Sequence, residues 1–232
     1  MGISATEVKK LRALTSAGMM DCKKALIESN GDFEKAKLFL KEKGQSKADS
    51  KSGRTTAQGL VSIKVSIDNQ VAVILEVNCE TDFAAKDQQF IDFSNNILEL
   101  IIEGEIDDLD SLLSSSIKDF DTVQNYKTHV ISKLGENISL RRFDKVSIKG
   151  AVGSYIHADK IAAIALLDSD NEILAKDIAM HIAASNPNYI DQSEIPTELL
   201  KEESRILELQ AKEEGKPQEI IEKIVQGKLN KK

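Results

Sequence analysis

Aromatic residues make up only 4% of the 232-residue chain, and tryptophan is absent. Such a supply is thin for a surface that stacks nucleic-acid bases. Histidine is scarce too, with His129, His157 and His181 the only three. None stands at metal-ligand spacing from a Cys, Asp or Glu, and no HExxH occurs. His181 sits in AMHIAAS, an apolar helical stretch where a packed or surface histidine is the simpler reading. The two cysteines, Cys22 and Cys79, are far apart and outside any CxxC pair, which fits reduced thiols in a cytoplasmic protein. No apolar run approaches the roughly 18 residues needed to span a bilayer. The opening MGISATEVKK lacks the apolar centre of a secretory signal, and Thr6 falls in a capping context, against myristoylation of Gly2. GxxxxGK[ST], GxGxxG and GxSxG are all missing, so neither a nucleotide cradle nor a nucleophile elbow is expected. No acid, base and nucleophile can be assembled into a cluster. Together these blanks point to a binding protein, not an enzyme, with no cofactor, no metal and no membrane contact.

What is present is a chain long enough for one or two units with real cores, 41% hydrophobic and 30% charged. Its charge is unevenly spread. Residues 1–54 carry 12 basic against 7 acidic residues, whereas residues 55–232 carry 19 against 31. The first part is therefore net +5 and the rest net −12. The overall acidity argues against nucleic acid as the main ligand, which wants a basic footprint.

The hydropathy pattern begins with three short helices. Ser4 and Glu7 have capping-box spacing, and Val8, Leu11 and Leu14 follow at helical intervals. Thr15-Ser16-Ala17-Gly18 breaks that helix. MMDCKKALIES forms the second, ending at Asn30-Gly31, where glycine tolerates a left-handed backbone. Asp32 caps a third, FEKAKLFLKEKG, predicted to stop at Gly44. QSKADSKSGRTTA is polar and aperiodic, as a linker is. LVSIKVSI then alternates with period two, Asp68-Asn69 turns the chain, and VAVILEVN returns. One helix is predicted through FAAKDQQFIDFSNNILELII. An acidic connection with short helical turns follows, then a helix, TVQNYKTHVISKLG, ending at Gly135. Strands resume in ISLRRFDKVSIKG and AVGSYIHADKIAAIALLD, with Gly153 or Asp159 at the bends. NEILAKDIAMHIAAS is helical until Asn186-Pro187. The last segment is charged, with a narrow apolar stripe interrupted at Gly215-Lys216-Pro217, like an antiparallel coiled-coil arm.

The fold class expected is α+β. Residues 1–46 form a three-helix module, 47–57 a linker, 58–139 and 140–188 two α+β subdomains, and 189–232 a helical hairpin.

LRALTSAGMMDCKKALIESNGDFEKA, LEVNCETDFAAKD, and KLGENISLRR with GSYIH and AMHIAAS together resemble bacterial elongation factor Ts. The likeness runs in order from about Glu7 to Lys228. That family exchanges guanine nucleotide on elongation factor Tu, so the resemblance implies a partner met in GDP-bound and nucleotide-free forms, with no nucleotide held by this chain itself. It also implies a ubiquitin-associated-like first module and a coiled-coil insertion. The family's TDFV reads Thr81-Asp82-Phe83-Ala84 here, a smaller fourth residue. Family members with this arm continue past it to complete the second subdomain, so the sequence ending at Lys232 is either a shortened piece or a short variant. That leaves the second subdomain incomplete, and the end bears on homodimer formation and on a second partner contact.

Phe83 is the pivotal residue. Thr81 or Asp82 suits the N-cap of a helix starting there, and a first-turn Phe ordinarily packs on its own core. The resemblance implies the opposite: Phe83 wedges near the partner's magnesium and phosphate site, with Asp82 positioning it. Arg12, Met19, Met20 and Lys23 match family contacts to the partner's nucleotide-binding domain, and Leu134, Gly135 and His157 match further contacts. Lys176 and His181 lie in a helix implicated in a second, less specific contact. For Met19 and Met20 the competing reading is bundle core, and for Arg12 and Lys23 a solvated surface charge. Gly135 doubles as a helix stop, and His157 as a strand end. The rival functions are a non-exchanging adaptor that binds a peptide or helix through the first module, and an RNA-associated protein using the basic first 54 residues.

Overall fold

A computed structural model describes residues 3–15, 17–68, 70–215 and 217–229. Gly2, Ser16 of the first helix break, Asn69 of the hairpin turn, Lys216 of the last interruption and the end at Lys232 lie outside the described residues. The chain is α+β, with helices beside small antiparallel sheets, and forms two compact units, residues 1–184 and 185–232. No helix among the described residues is long and apolar enough to cross a membrane.

Three helices open the first unit: α1 (Ala5–Thr15), α2 (Met19–Glu28) and α3 (Phe33–Asp49). The capping box forms, with the Glu7 amide donating to Ser4 Oγ (3.2 Å) and the Ser4 amide to Glu7 Oε2 (2.7 Å). Asn30 and Gly31 both turn left-handed after α2, at φ of +51° and +83°. Asp32 accepts from the Glu34 and Lys35 amides to start α3. Val8, Leu11, Cys22, Ala25, Leu26 and Ala36 make the small core between these helices. Leu14 does not join it, being 58% exposed.

Helix α3 passes Gly44 instead of stopping there, and takes in residues 47–49 expected in the linker. Glycine inside a helix costs about 1 kcal/mol relative to alanine. Tertiary contacts on both sides of Gly44 offset that cost. Lys43 and Lys47 each donate to Asp21 of α2 (2.5 and 2.9 Å), and these bonds hold the Asp21 carboxyl below its ordinary range. One turn further, Ala48 is buried in the main core of the unit. The three-helix bundle is thus continuous with the sheet-bearing part of the same unit.

That main core lies against a sheet of β1 (Gln58–Val65), β2 (Val71–Cys79) and β3 (Ile138–Ser147), antiparallel and in the order β1-β2-β3. Strand β2 is central and reads apolar on nearly every residue, with Ala72, Val73, Leu75, Val77 and Cys79 all buried. Strand β3 spans the expected boundary at 139/140 and pairs with β2 from Cys79–Ile138 to Val71–Ser147, around a bulge at Glu76/Val77.

The single helix predicted from Phe83 is two: α4 (Asp82–Ala85) and α5 (Gln88–Glu103), split because Asp87 accepts from the Gln89 amide and starts a new helix. Phe90, Phe93, Ile97 and Ile101 turn the α5 face into the core. Next come α6 (Leu109–Ser114) and α7 (Val123–Leu134).

Strands β4 (Val152–His157) and β5 (Ile161–Leu166) form a separate two-stranded sheet, followed by α8 (Glu172–Ser185). The bend expected at Asp159 is present, with Ala158 and Asp159 at φ of +48° and +57°. Gly153 is not a bend but lies within β4, where the α8 backbone at Ala175 comes against it. In the second unit, α9 (Thr197–Glu213) and α10 (Gln218–Leu229) pack through Leu207, Ala211, Ile221 and Val225.

Candidate partner-binding site

Strand β2 delivers the chain into a tight turn at residues 80–85. Thr81, with extended backbone, caps α4 by accepting the Ala84 amide on Oγ1 at 3.2 Å. Its own amide donates to Glu136 Oε2 (3.0 Å) and its hydroxyl to Glu136 Oε1 (2.6 Å). The carboxylate of Glu136 therefore holds both Thr81 donors, and charged hydrogen bonds of this kind are the stronger ones. Glu80 answers in the other direction, accepting the Asn137 amide at 2.6 Å. The Asn137 side chain donates in turn to the Ser52 and Arg54 carbonyls, and Arg54 stands 3.5 Å from Glu80.

On this braced turn the inward side chain is Ala84, which is buried in the main core. Ala84 thus leaves little of its own side chain at the surface. Phe83 points the other way and is 81% exposed, so it does not pack on its own core. Asp82 is exposed and pairs with Lys86 at 3.2 Å, an i,i+4 ion pair worth a few tenths of a kcal/mol. The fixed object here is the backbone; the free object is the ring.

Just before the turn, Cys79 is buried, with its thiol 3.1 Å from the Thr81 carbonyl. Burial, with Glu136 adding, pushes that thiol up to about 11. A folded-state value above the unfolded one contributes stability that is present below about pH 9 and lost as pH climbs toward about 11. Cys22 is buried as well. Neither cysteine is expected to react with a thiol reagent at mildly alkaline pH in the native protein, whereas both react in denaturant. A fast reaction of the native chain contradicts this placement.

Two other predicted contacts converge on the same end of the sheet. Gly135 terminates α7 in the left-handed region at φ +77°, its amide donating to the Ile131 carbonyl, and leads directly into Glu136. Leu134 is half-buried against the core. His157 ends β4, exposed, with Nδ1 3.3 Å from the Tyr155 hydroxyl. The turn after it is pinned to β1: the Val61 amide donates to the Asp159 carbonyl, and Lys160 Nζ donates to Gln58 Oε1 and the Gly59 carbonyl. Gln58 pairs with Cys79. The Phe83 turn, the Gly135 corner and the His157 hairpin end are thus tied through backbone-anchored bonds.

In the three-helix bundle, Met19 (40% exposed) and Met20 (74% exposed) both lie outside the core, and Arg12 and Lys23 are exposed. Arg12, Leu14 and Met19 line a cleft of about 1350 Å³ whose other wall includes His129, Ser132 and Lys133 of α7. Burial, with Lys133 nearby, pushes the His129 imidazole below its ordinary value. Met20 and Lys23 stand outside this cleft. Lys176 and His181 are exposed on α8, beside Ile173 and Leu174, and neither takes part in the bonds that brace the Phe83 turn.

Sequence reasoning missed Glu80, Glu136 and Asn137. Each of their hydrogen bonds spans more than 50 residues, and only the helix-stopping Gly135 hinted that a tight corner lay there. Among the described residues, no three His, Cys, Asp or Glu side chains converge so as to hold a metal ion. What the geometry offers is an apolar ring held out from a rigid turn, with two more exposed elements locked around it. Recognition of another macromolecule is the class of work such a surface does.

Comparison with known proteins narrows that class. Residues 80–232 match the family model for elongation factor TS. Elongation factor Ts of Legionella pneumophila (strain Lens) is 42% identical over 229 residues, covering 99% of this chain and 78% of that protein. The Hydrogenovibrio crunogenus protein of the same name is 41% identical over 231 residues (100% and 79%), and that of Clostridium novyi 45% over 238 residues (99% and 78%). The chain belongs to the elongation factor Ts family.

Proposed function

We propose that this chain releases GDP from elongation factor Tu by lodging Phe83 beside the partner's magnesium and phosphate site. Family membership supplies the role itself: the chain is a guanine-nucleotide exchange factor for elongation factor Tu in translation elongation. The adaptor and RNA-binding alternatives have no comparable support.

The observation that carries the proposed mechanism is the exposed Phe83 ring on a turn braced by Glu136. Leaving a phenyl ring in water is unfavourable, and burying it is worth about 1.5–3 kcal/mol. If the partner offers that burial only when its metal-side loops have shifted, the factor binds the nucleotide-free form more tightly. Reciprocity then requires it to weaken nucleotide and metal binding by the same coupling free energy. No bond is made or broken, and this chain needs no cofactor.

Around the ring, Asp82 positions the turn, while Leu134, Gly135 and His157 widen the contact. The first three helices act as a ubiquitin-associated-like module presenting Arg12, Met19, Met20 and Lys23 to the nucleotide-binding domain. Lys176 and His181 on α8 serve a second contact, and α9 with α10 serves as a coiled-coil arm. We place this work in the cytoplasm, where translation elongation runs.

The test is release of fluorescent GDP from elongation factor Tu with and without this polypeptide, over a salt series. Acceleration that persists as salt rises is expected, because apolar burial carries the coupling. An acceleration that collapses steeply with salt points instead to a charge-dominated contact.

A further inference from the structure

Behind the Phe83 turn, two carboxylates, Glu80 and Glu136, tie together segments that lie more than 50 residues apart in the chain. We propose that Glu136 is a positioning residue for exchange, acting through Thr81 to hold the direction of the Phe83 ring. This rests on the wedge reading of Phe83.

Helix α4 (Asp82–Ala85) has four residues and is far too short to be stable by its own hydrogen bonds. Its conformation has to be imposed. Ala84 anchors one side in the core, and Thr81 fixes the start, but a threonine cap is only as firm as the rotamer of its hydroxyl. Glu136 settles that rotamer. By accepting the hydroxyl proton at 2.6 Å it leaves an oxygen lone pair for the Ala84 amide, and by accepting the Thr81 amide at 3.0 Å it fixes the backbone behind the cap. The Glu80 bond to the Asn137 amide runs in the opposite direction and closes the pair of segments 80–81 and 136–137 into a two-way clasp. Asn137 extends the clasp to the chain leaving α3 through Ser52 and Arg54. The exposed ring, a hydrocarbon, can make no such bond. Its direction is inherited from the clasp.

A wedge transmits binding energy into displacement only if it is stiff, since a floppy turn lets the ring fit without moving the partner. Loosening the clasp should therefore lower the maximal exchange rate more than it weakens association. The experiment measures fluorescent GDP release from elongation factor Tu across concentrations of the whole 232-residue chain carrying Glu136→Ala, Glu136→Gln, Thr81→Val, Thr81→Ser or Phe83→Ala, and of the Phe83→Ala/Glu136→Ala double variant. Glu136→Ala is expected to lower the maximal rate about tenfold, the scale of one charged hydrogen bond, with half-saturation little changed. Thr81→Val should behave alike, and Thr81→Ser should restore the rate by keeping the hydroxyl.

The double variant separates positioning from general support. If Glu136 acts through the ring, the pair is no slower than Phe83→Ala alone. Additive losses overturn the inference, as does a wild-type rate for Glu136→Ala when Phe83→Ala is slow. A wild-type rate for Phe83→Ala removes the wedge reading itself, and this inference with it. Should Glu136→Ala fail to fold, Glu136→Gln and the two Thr81 variants carry the same comparison.

Discussion

Phe83→Ala is expected to slow GDP release from elongation factor Tu by about 10- to 100-fold while leaving the chain folded. The rate change follows from the roughly 1.5–3 kcal/mol that the proposed ring burial in the partner would supply, at about 1.4 kcal/mol per factor of ten. The stability change should stay within about 0.5 kcal/mol, because the ring is 81% exposed and its removal opens no cavity. The two readouts together make the prediction specific. A core phenylalanine would show the reverse pattern, with loss of several kcal/mol of stability and secondary loss of rate. Phe83→Leu should fall between wild type and alanine, since it keeps part of the apolar area. Circular dichroism and urea unfolding check the first half, stopped-flow release of fluorescent GDP the second. Unchanged release by a folded Phe83→Ala chain would dismiss the wedge. Asp82→Ala makes a useful companion. Its ion pair with Lys86 is solvent-exposed and worth little to the fold, so any exchange defect beyond about twofold reports a role of Asp82 in exchange, by positioning the turn or by touching the partner, and not a loss of stability.

The exposure of Phe83 marks where sequence stopped short of structure. Capping signals placed a helix start at Thr81 or Asp82, but as one long helix where the structure has α4 and α5, and they could not say which side of the first turn faces inward. A short helix has no stripe to read; the answer lies in Ala84, whose small side chain sits against the core and leaves the ring on the outside. Leu14 is the mirror case. It stands at the right spacing after Val8 and Leu11, but α1 is near its end there and the residue is exposed in the cleft facing α7. Local signals succeeded at Ser4 with Glu7, Asp32, Gly135 and Asp159, though the Asp87 cap that starts α5, equally local, went unread. They failed where distant chain decided the outcome. Gly44 carries a helix because Asp21 grips Lys43 and Lys47 on either side of it. Glu136 was invisible as the brace of the Phe83 turn because its partner is 55 positions away. The family resemblance supplied candidate contacts, but the bonds that hold them together had to come from the fold.

Gly153 makes the same point with a large consequence for stability. A Cβ added there would overlap the Ala175 carbonyl carbon and oxygen and the Lys176 amide nitrogen, far inside van der Waals contact. All three are backbone atoms, so no side chain can swing aside to make room. Gly153→Ala must push β4 and α8 apart, and the packing it disturbs is built from small residues: Ala163 and Ala165 on β5, Ala175 and Ala179 on α8, all buried. Small residues leave little slack, because they meet neighbours through the backbone itself. A destabilisation of about 3 kcal/mol or more is expected, at or above the upper end of ordinary overpacking costs. At about 2–4 °C per kcal/mol for a protein of this size, the melting temperature should fall by roughly 6–12 °C. Gly227, an exposed helical glycine with nothing within 4 Å of an added Cβ, is the control. Alanine there should stabilise by about 0.5–1 kcal/mol through helix propensity alone. Opposite signs for the same chemical change would locate the constraint in the crossing of α8 over β4. A Gly153→Ala chain that melts like wild type would mean that the two backbones do not approach so closely. The exchange assay adds a second dimension, because Phe83 and its clasp belong to the other sheet. While the Gly153→Ala chain stays folded at low temperature, the Phe83-dependent acceleration should survive, and any loss should fall on the contacts proposed for His157 on β4 and for Lys176 and His181 on α8.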